Sequence, residues 1–175
     1  MIPYVRQFDF TYGRRDQVSP LIQRVIADNP GPFTFTGTGT YIVGRDMPGA
    51  KVAVIDPGPE DEAHLHALLR AVKGRTISHI LVTHTHRDHA PLSRALAEAV
   101  GGAPILAAKP HGATVHASDA DQAAMDEDDD ADFKADVILS DGDRIEGDGW
   151  TLEAMATPGH ASNHMAFVLR EENAL

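Results

Sequence analysis

Cysteine is absent from the 175 residues. This removes disulfides, thiolate metal sites and thiol nucleophiles together, and leaves His, Asp and Glu as the side chains able to hold a metal. Basic residues are scarce as well, 15 Lys+Arg against 26 Asp+Glu, for a formal net charge of -11. A field of that sign repels phosphate backbones unless the cations are gathered on one face, so non-specific nucleic-acid binding is disfavoured. No apolar run approaches the roughly 18 to 20 residues needed to span a bilayer. The opening MIPYVRQFDF lacks the charged start and apolar stretch of a secretory signal. A cytoplasmic protein with no membrane association is expected. With 42% hydrophobic residues there is material for one ordinary core. No internal repeat or linker divides the chain, so residues 1–175 are read as one domain.

Short apolar runs alternate with Gly, Pro and Asp punctuation, and two longer segments carry a helical period, the pattern of a mixed α/β (α+β) chain. Thr38–Val43 and Lys51–Ile55 read as a hairpin turned by Asp46, Pro48 and Gly49. A helix follows from about Glu60 to Val72, with Leu65, Leu68, Leu69 and Val72 on one face. Ile77–Val82 reads as a strand and Pro91–Val100 as a second helix closed by Gly101-Gly102. Pro104–Ala107, Val137–Leu139, Arg144–Ile145, Thr151–Ala156 and Met165–Leu169 read as further strands, with the second half mainly antiparallel. The acidic run Asp126–Asp130 lacks the spacing of a calcium loop and reads as solvated. Gly37-Thr38-Gly39 lacks the spacing and the following helix of a dinucleotide loop.

The chemistry concentrates in Thr83-His84-Thr85-His86-Arg87-Asp88-His89, directly after the apolar Ile80-Leu81-Val82. In extended chain, residues two apart point to one side, so His84 and His86 can reach one metal. A turn at Arg87 then aims Asp88 and His89 at a neighbouring position. Downstream, Thr157-Pro158-Gly159-His160 follows a strand, and its Pro and Gly fix a turn that presents His160 at the strand end. With His84 and His86 it can complete a three-histidine site. His64 and His66 lie mostly off the apolar stripe of the first helix and are expected to face solvent. His79, His111 and His116 are read as structural or exposed.

His84-x-His86-x-Asp88-His89, the Thr-Pro-Gly-His ending in His160, and the upstream Val54-Ile55-Asp56-Pro57-Gly58 resemble the metallo-β-lactamase superfamily of metal hydrolases from about Gly37 to Leu169. THTHRDH and TPGHASNH are most similar to the branch of the β-lactamase-like protein 2 endoribonucleases. The resemblance implies an αββα sandwich, represented mainly by its N-terminal half. It implies that His84, His86 and His160 hold a first zinc, that Asp88 and His89 contribute to a second, and that Asp88 acts catalytically by orienting the hydroxide. Asp56 would be a carboxylate beside the site, and His164 a group supporting the ligands. One or two zinc ions are expected, with iron as the alternative. The metal would lower the pKa of a bound water so that hydroxide attacks at neutral pH.

Two expected pieces are missing. After His160 the sequence offers neither the aspartate that bridges the two metals in this family nor its terminal histidine, so the chain reads as C-terminally truncated. The strand edges and sheet face left open by such a truncation predict self-association. The substrate remains open between a small-molecule ester or thioester, favoured by the acidic charge, and single-stranded RNA, favoured by the branch. A mononuclear iron persulfide dioxygenase and a catalytically incomplete metal-binding fragment are the rival readings.

Overall fold

A computed structural model describes residues 9–109, 130 and 132–175. His111, His116 and Asp126–Asp129 lie outside the described residues. Chain order gives β1 (Arg15–Gln17), β2 (Ile22–Ile26), β3 (Gly39–Val43), β4 (Lys51–Ile55), α1 (Glu62–Ala71), β5 (Thr76–Val82), α2 (Leu92–Ala99), β6 (Ile105–Ala108), β7 (Val137–Leu139), β8 (Arg144–Glu146), β9 (Thr151–Ala156) and β10 (Met165–Leu169). Strands β1 to β7 form one sheet in sequence order, and β10-β9-β8 form a second. The first sheet is antiparallel from β1 to β4 and parallel from β4 to β7. The second is wholly antiparallel.

Side-chain alternation along the central strands builds two cores. Val52 and Val54, Ile80 and Val82, and Ile105 and Ala107 point to one face, where Ala67, Leu68 and Ala71 of α1 and Leu92, Leu96 and Ala97 of α2 cover them. Ala53, Leu81 and Leu106 point to the other, where Leu152, Met165 and Phe167 of the second sheet and Trp150, just before β9, cover them. Every core position of these strands is apolar because both faces of the sheet are dry. The described residues therefore stack as helices, sheet and sheet, and no helix among them covers the outer face of the second sheet. None of the described helices is long and apolar enough to cross a membrane.

Local chemistry sets the element ends. The Asp61 carboxylate accepts from Ala63 N at 2.8 Å and caps α1, so the helix begins at Glu62, two residues after the sequence reading places it. Gly44 closes β3 at φ +135, where a Cβ would sit 3.0 Å from the Lys51 carbonyl and 3.1 Å from the Trp150 indole nitrogen. That nitrogen donates to Lys51 O at 2.9 Å and ties the two sheets together.

The structure adds two strands and corrects two readings. Strands β1 and β2 are additional: Gln23 interrupts the apolar pattern of β2, yet it is buried, donating to Gly44 O at 3.1 Å and accepting from Arg75 at 2.6 Å. Strand β7 leaves the antiparallel half and pairs parallel with β6. His64 is buried, its Nε2 2.9 Å from Thr40 Oγ1 of β3, and burial lowers its pKa although Asp61 opposes this. His66 is exposed, and His79 is half-buried with its ring edge-on to Trp150.

Candidate metal centre

Because β4, β5 and β6 run parallel, their C-terminal ends lie at one edge of the sheet, the position where open α/β sheets carry their sites. Asp56 leaves β4 there, and Thr83–His89 leave β5. The Thr157–His164 connection between β9 and β10 is closed by Thr157 N donating to His164 O at 2.9 Å. It is pinned to the same edge by Met165 N donating to Thr83 O at 2.8 Å. The turn expected at Arg87 is present: His89 N and Ala90 N both donate to His86 O, at 2.9 and 3.0 Å.

His84, His86 and His160 converge, each offering one ring nitrogen within 4.8 Å of the others. The rings of His84 and His86 lie 4.5 Å apart, those of His86 and His160 4.7 Å, and those of His84 and His160 5.0 Å. His84 is buried, His86 half-buried and His160 exposed, so the cluster opens on one side. His89 also lies against His84, with ring centroids 4.3 Å apart.

Asp56 organises this edge. It is buried, sits at φ +51, and accepts three hydrogen bonds of 2.8 Å, from Thr83 N, Thr83 Oγ1 and His89 Nδ1. Since the Thr83 hydroxyl donates to Asp56, it has only lone pairs to offer His84 Nδ1 at 2.9 Å. The proton of His84 is thereby placed on Nδ1, and Nε2 is left bare. That buried Nε2 has no hydrogen-bond partner. Burial, reinforced by the neighbouring imidazoles, lowers the His84 pKa to about 2, so the ring is neutral. A buried neutral imidazole with a bare, unpartnered nitrogen, clustered with two further imidazoles, fits a metal ion held by nitrogen ligands.

His89 behaves differently. Burial opposes its charge, but the hydrogen bonds to Asp56 and Asp88 outweigh burial and raise its pKa to about 10. Its Nε2 lies 3.2 Å from Asp88 Oδ2. Burial would raise the Asp88 carboxyl, yet His89 holds it below the usual range. His164 stands beside the cluster, its ring 5.1 Å from His84 and its Nδ1 2.8 Å from Thr157 Oγ1. Burial lowers its pKa.

All seven residues singled out from the sequence, Asp56, His84, His86, Asp88, His89, His160 and His164, therefore lie at one edge. The hydroxyls of Thr83, Thr85 and Thr157 carry no role in the sequence reading, although each is adjacent in sequence to a site residue or opens the His160 turn. Buried Asn163 donates to Thr85 Oγ1 at 3.0 Å and braces the His84–His86 segment. The acidic residues after His160 are engaged elsewhere: Glu171 accepts from Thr151 N at 2.9 Å, and Glu172 accepts from Leu21 N at 2.7 Å and from Ser19 Oγ.

The chain is 35% identical over 167 residues to an atrochrysone carboxyl ACP thioesterase of Aspergillus terreus, covering 91% of this chain and 43% of that protein. It is 32% identical over 163 residues to the beta-lactamase-like protein 2 homolog of Caenorhabditis elegans, covering 91% and 50%. Thus the chain spans half or less of the length of these relatives. A beta-lactamase domain protein from Burkholderia ambifaria shares the fold with a TM-score of 0.67 at 19% identity, covering 93% of this chain and 55% of that one. The metallo-beta-lactamase superfamily profile matches residues 34–175, and the chain belongs to that superfamily.

Proposed function

We propose that His84, His86 and His160 hold a zinc ion in a hydrolase acting on small-molecule esters or thioesters, with Asp88 and His89 flanking a second metal position. The observation that carries this reading is the convergence of one ring nitrogen from each of the three histidines to within 4.8 Å of one another, beside the unpartnered Nε2 of His84. When bound, zinc supplies Lewis acidity and lowers the pKa of a coordinated water. Thioesters are favoured over RNA by the net charge of -11, and one relative is named as a thioesterase.

The chain's own residues divide the remaining work. Asp56 is committed to three hydrogen bonds and serves as the orienting carboxylate, fixing His84 through Thr83 and His89 directly. Asp88 is partly exposed and retains acceptor capacity beyond its contact with His89. It is the carboxylate placed to take a proton from the attacking water and return it to the leaving group. His164, held through Nδ1 by Thr157, packs against His84 and limits its movement.

Zinc titration of the purified chain tests the assignment. One tightly held zinc is expected, lost in His86→Ala together with hydrolysis of a model acyl thioester. Unchanged zinc stoichiometry in His86→Ala overturns the ligand assignment, and no thioester turnover by the zinc-loaded protein overturns the substrate class.

A further inference from the structure

At the opposite end of the parallel strands a second feature takes no part in this chemistry. The β3–β4 turn, the C-terminal end of α1 and the residues leading into β5 enclose a cavity of about 370 Å³. Arg15, Arg70, Lys73 and Arg75 line it, against a single carboxylate, Asp46. Four of the chain's 15 basic residues thus meet one of its 26 acidic ones in a single concavity. Chance scatter on so acidic a surface favours the reverse ratio. Thr76 opens β5 and Thr83 directly follows its last residue, seven steps at roughly 3.3 Å each, so the cavity lies about 20 Å from the histidine cluster.

The cations are not all consumed by local pairing. Asp46 is bound in bidentate fashion by Arg15, at 2.6 and 2.9 Å. It lies 3.9 Å from Arg75. The Arg75 side chain is 2% exposed, donates to Gln23 and to the Ala71 carbonyl, and keeps a buried Nε–H with no partner. Its charge is therefore held in the cavity wall at the desolvation cost of a buried cation, with a carboxylate that Arg15 already neutralises. Arg70 and Lys73 are exposed at the rim, and among the described residues neither side chain has an ion-pair or hydrogen-bond partner. Buried Ala67 gives the cavity an apolar floor, and the exposed Met47 and Pro48 extend the apolar lining to its mouth. Charged rim, buried cationic wall and apolar floor together form a pocket for a small anion carried on a short carbon skeleton.

We propose that this cavity is a binding site for a phosphate monoester, with Arg70 and Lys73 contacting the phosphate and Arg75 supplying fixed positive potential behind it. The site is separate from the histidine cluster and does not depend on the hydrolase reading.

Equilibrium binding of glycerol 3-phosphate and of inorganic phosphate to the purified chain tests it, with wild type, Arg70→Gln/Lys73→Gln and His86→Ala compared. Both substituted rim residues are exposed, so the double variant keeps its fold, and an unchanged melting temperature in phosphate-free buffer verifies this. Wild type and His86→Ala are expected to bind glycerol 3-phosphate alike, and more tightly than inorganic phosphate because the floor receives the carbon skeleton. The double variant is expected to bind it at least roughly tenfold more weakly, the loss of a charge-assisted contact costing about that factor. Binding that survives in the double variant but disappears in His86→Ala places the anion at the histidine cluster and overturns the proposal. Absence of saturable binding to wild type overturns it equally.

Discussion

Asp56→Asn isolates what a single buried carboxylate does for the site. The replacement is isosteric, and Asn tolerates the left-handed backbone at φ +51, so neither packing nor strain confounds the result. Hydrogen-bond polarity changes, and one negative charge is lost. Asp56 Oδ1 accepts from Thr83 N, while Oδ2 accepts from both the Thr83 hydroxyl and His89 Nδ1. An Asn amide placed at the Oδ1 position would confront the Thr83 N–H with another donor, so it must take the Oδ2 position. There it donates to Thr83 Oγ1 and faces the N–H of His89. The Thr83 hydroxyl proton is then free to turn toward His84 Nδ1, which moves the ring proton to Nε2, the nitrogen that must be bare to bind a metal. Replacing bonds to a charged acceptor costs about 2–3 kcal/mol of fold stability. Losing a partner that orients a ligand lowers metal affinity by roughly 10- to 100-fold. Competition with a chromophoric chelator reads the affinity, and urea unfolding of the metal-free protein reads the stability. Zinc affinity within twofold of wild type would refute the relay from Asp56 through Thr83 to His84.

Three further outcomes are expected. Asp88→Asn lowers thioester turnover by about 10²- to 10⁴-fold while the zinc of the three-histidine cluster is retained; normal turnover in a steady-state assay excludes Asp88 from proton transfer. His64 has a folded pKa below its ordinary 6.5, so the unfolded chain takes up a proton that the folded chain refuses. The associated stability is complete above pH 6.5 and declines as pH falls below it, by at most about 1.4 kcal/mol per pH unit. Urea midpoints at pH 7.5 and 5.5 should therefore differ less in His64→Gln than in wild type, and equal pH sensitivity of the two proteins rejects the assignment. Val137 and Ile138 on β7, an edge strand among the described residues, are 46% and 50% exposed, and an apolar edge of this kind recruits a second strand. Light scattering at micromolar concentration should show self-association, which a clean monomer contradicts.

The sequence was most informative where geometry is local. The hairpin β3–β4, both helices and the turn at Arg87 follow from patterns spanning a few residues, and His84, His86, Asp88 and His89 are neighbours along the chain. What escaped depended on partners distant in sequence. Polar Gln23 interrupts the apolar run of β2, and its burial is made tolerable by Gly44 and by Arg75, 52 residues away. His64 falls off the apolar stripe of α1, yet it is buried, with its Nε2 paired to the Thr40 hydroxyl from β3. The strand character of Val137–Leu139 is legible in its residues, but its membership of the first sheet is decided by pairing with β6.

The same distinction explains why Thr83 is as informative as the histidines it precedes. A histidine's identity says that a nitrogen is available, but not which nitrogen carries the proton. Here that choice is made by a carboxylate 27 residues upstream, transmitted by one hydroxyl. Asp56 can do this because β4 and β5 are parallel neighbours: Asp56 N donates to Leu81 O at 2.9 Å, which sets the carboxylate level with the end of β5. An antiparallel pairing of these strands would carry Asp56 to the far edge of the sheet. Sheet topology, more than the histidine motif alone, therefore fixes the tautomer of His84 and with it the cluster's capacity to bind a metal.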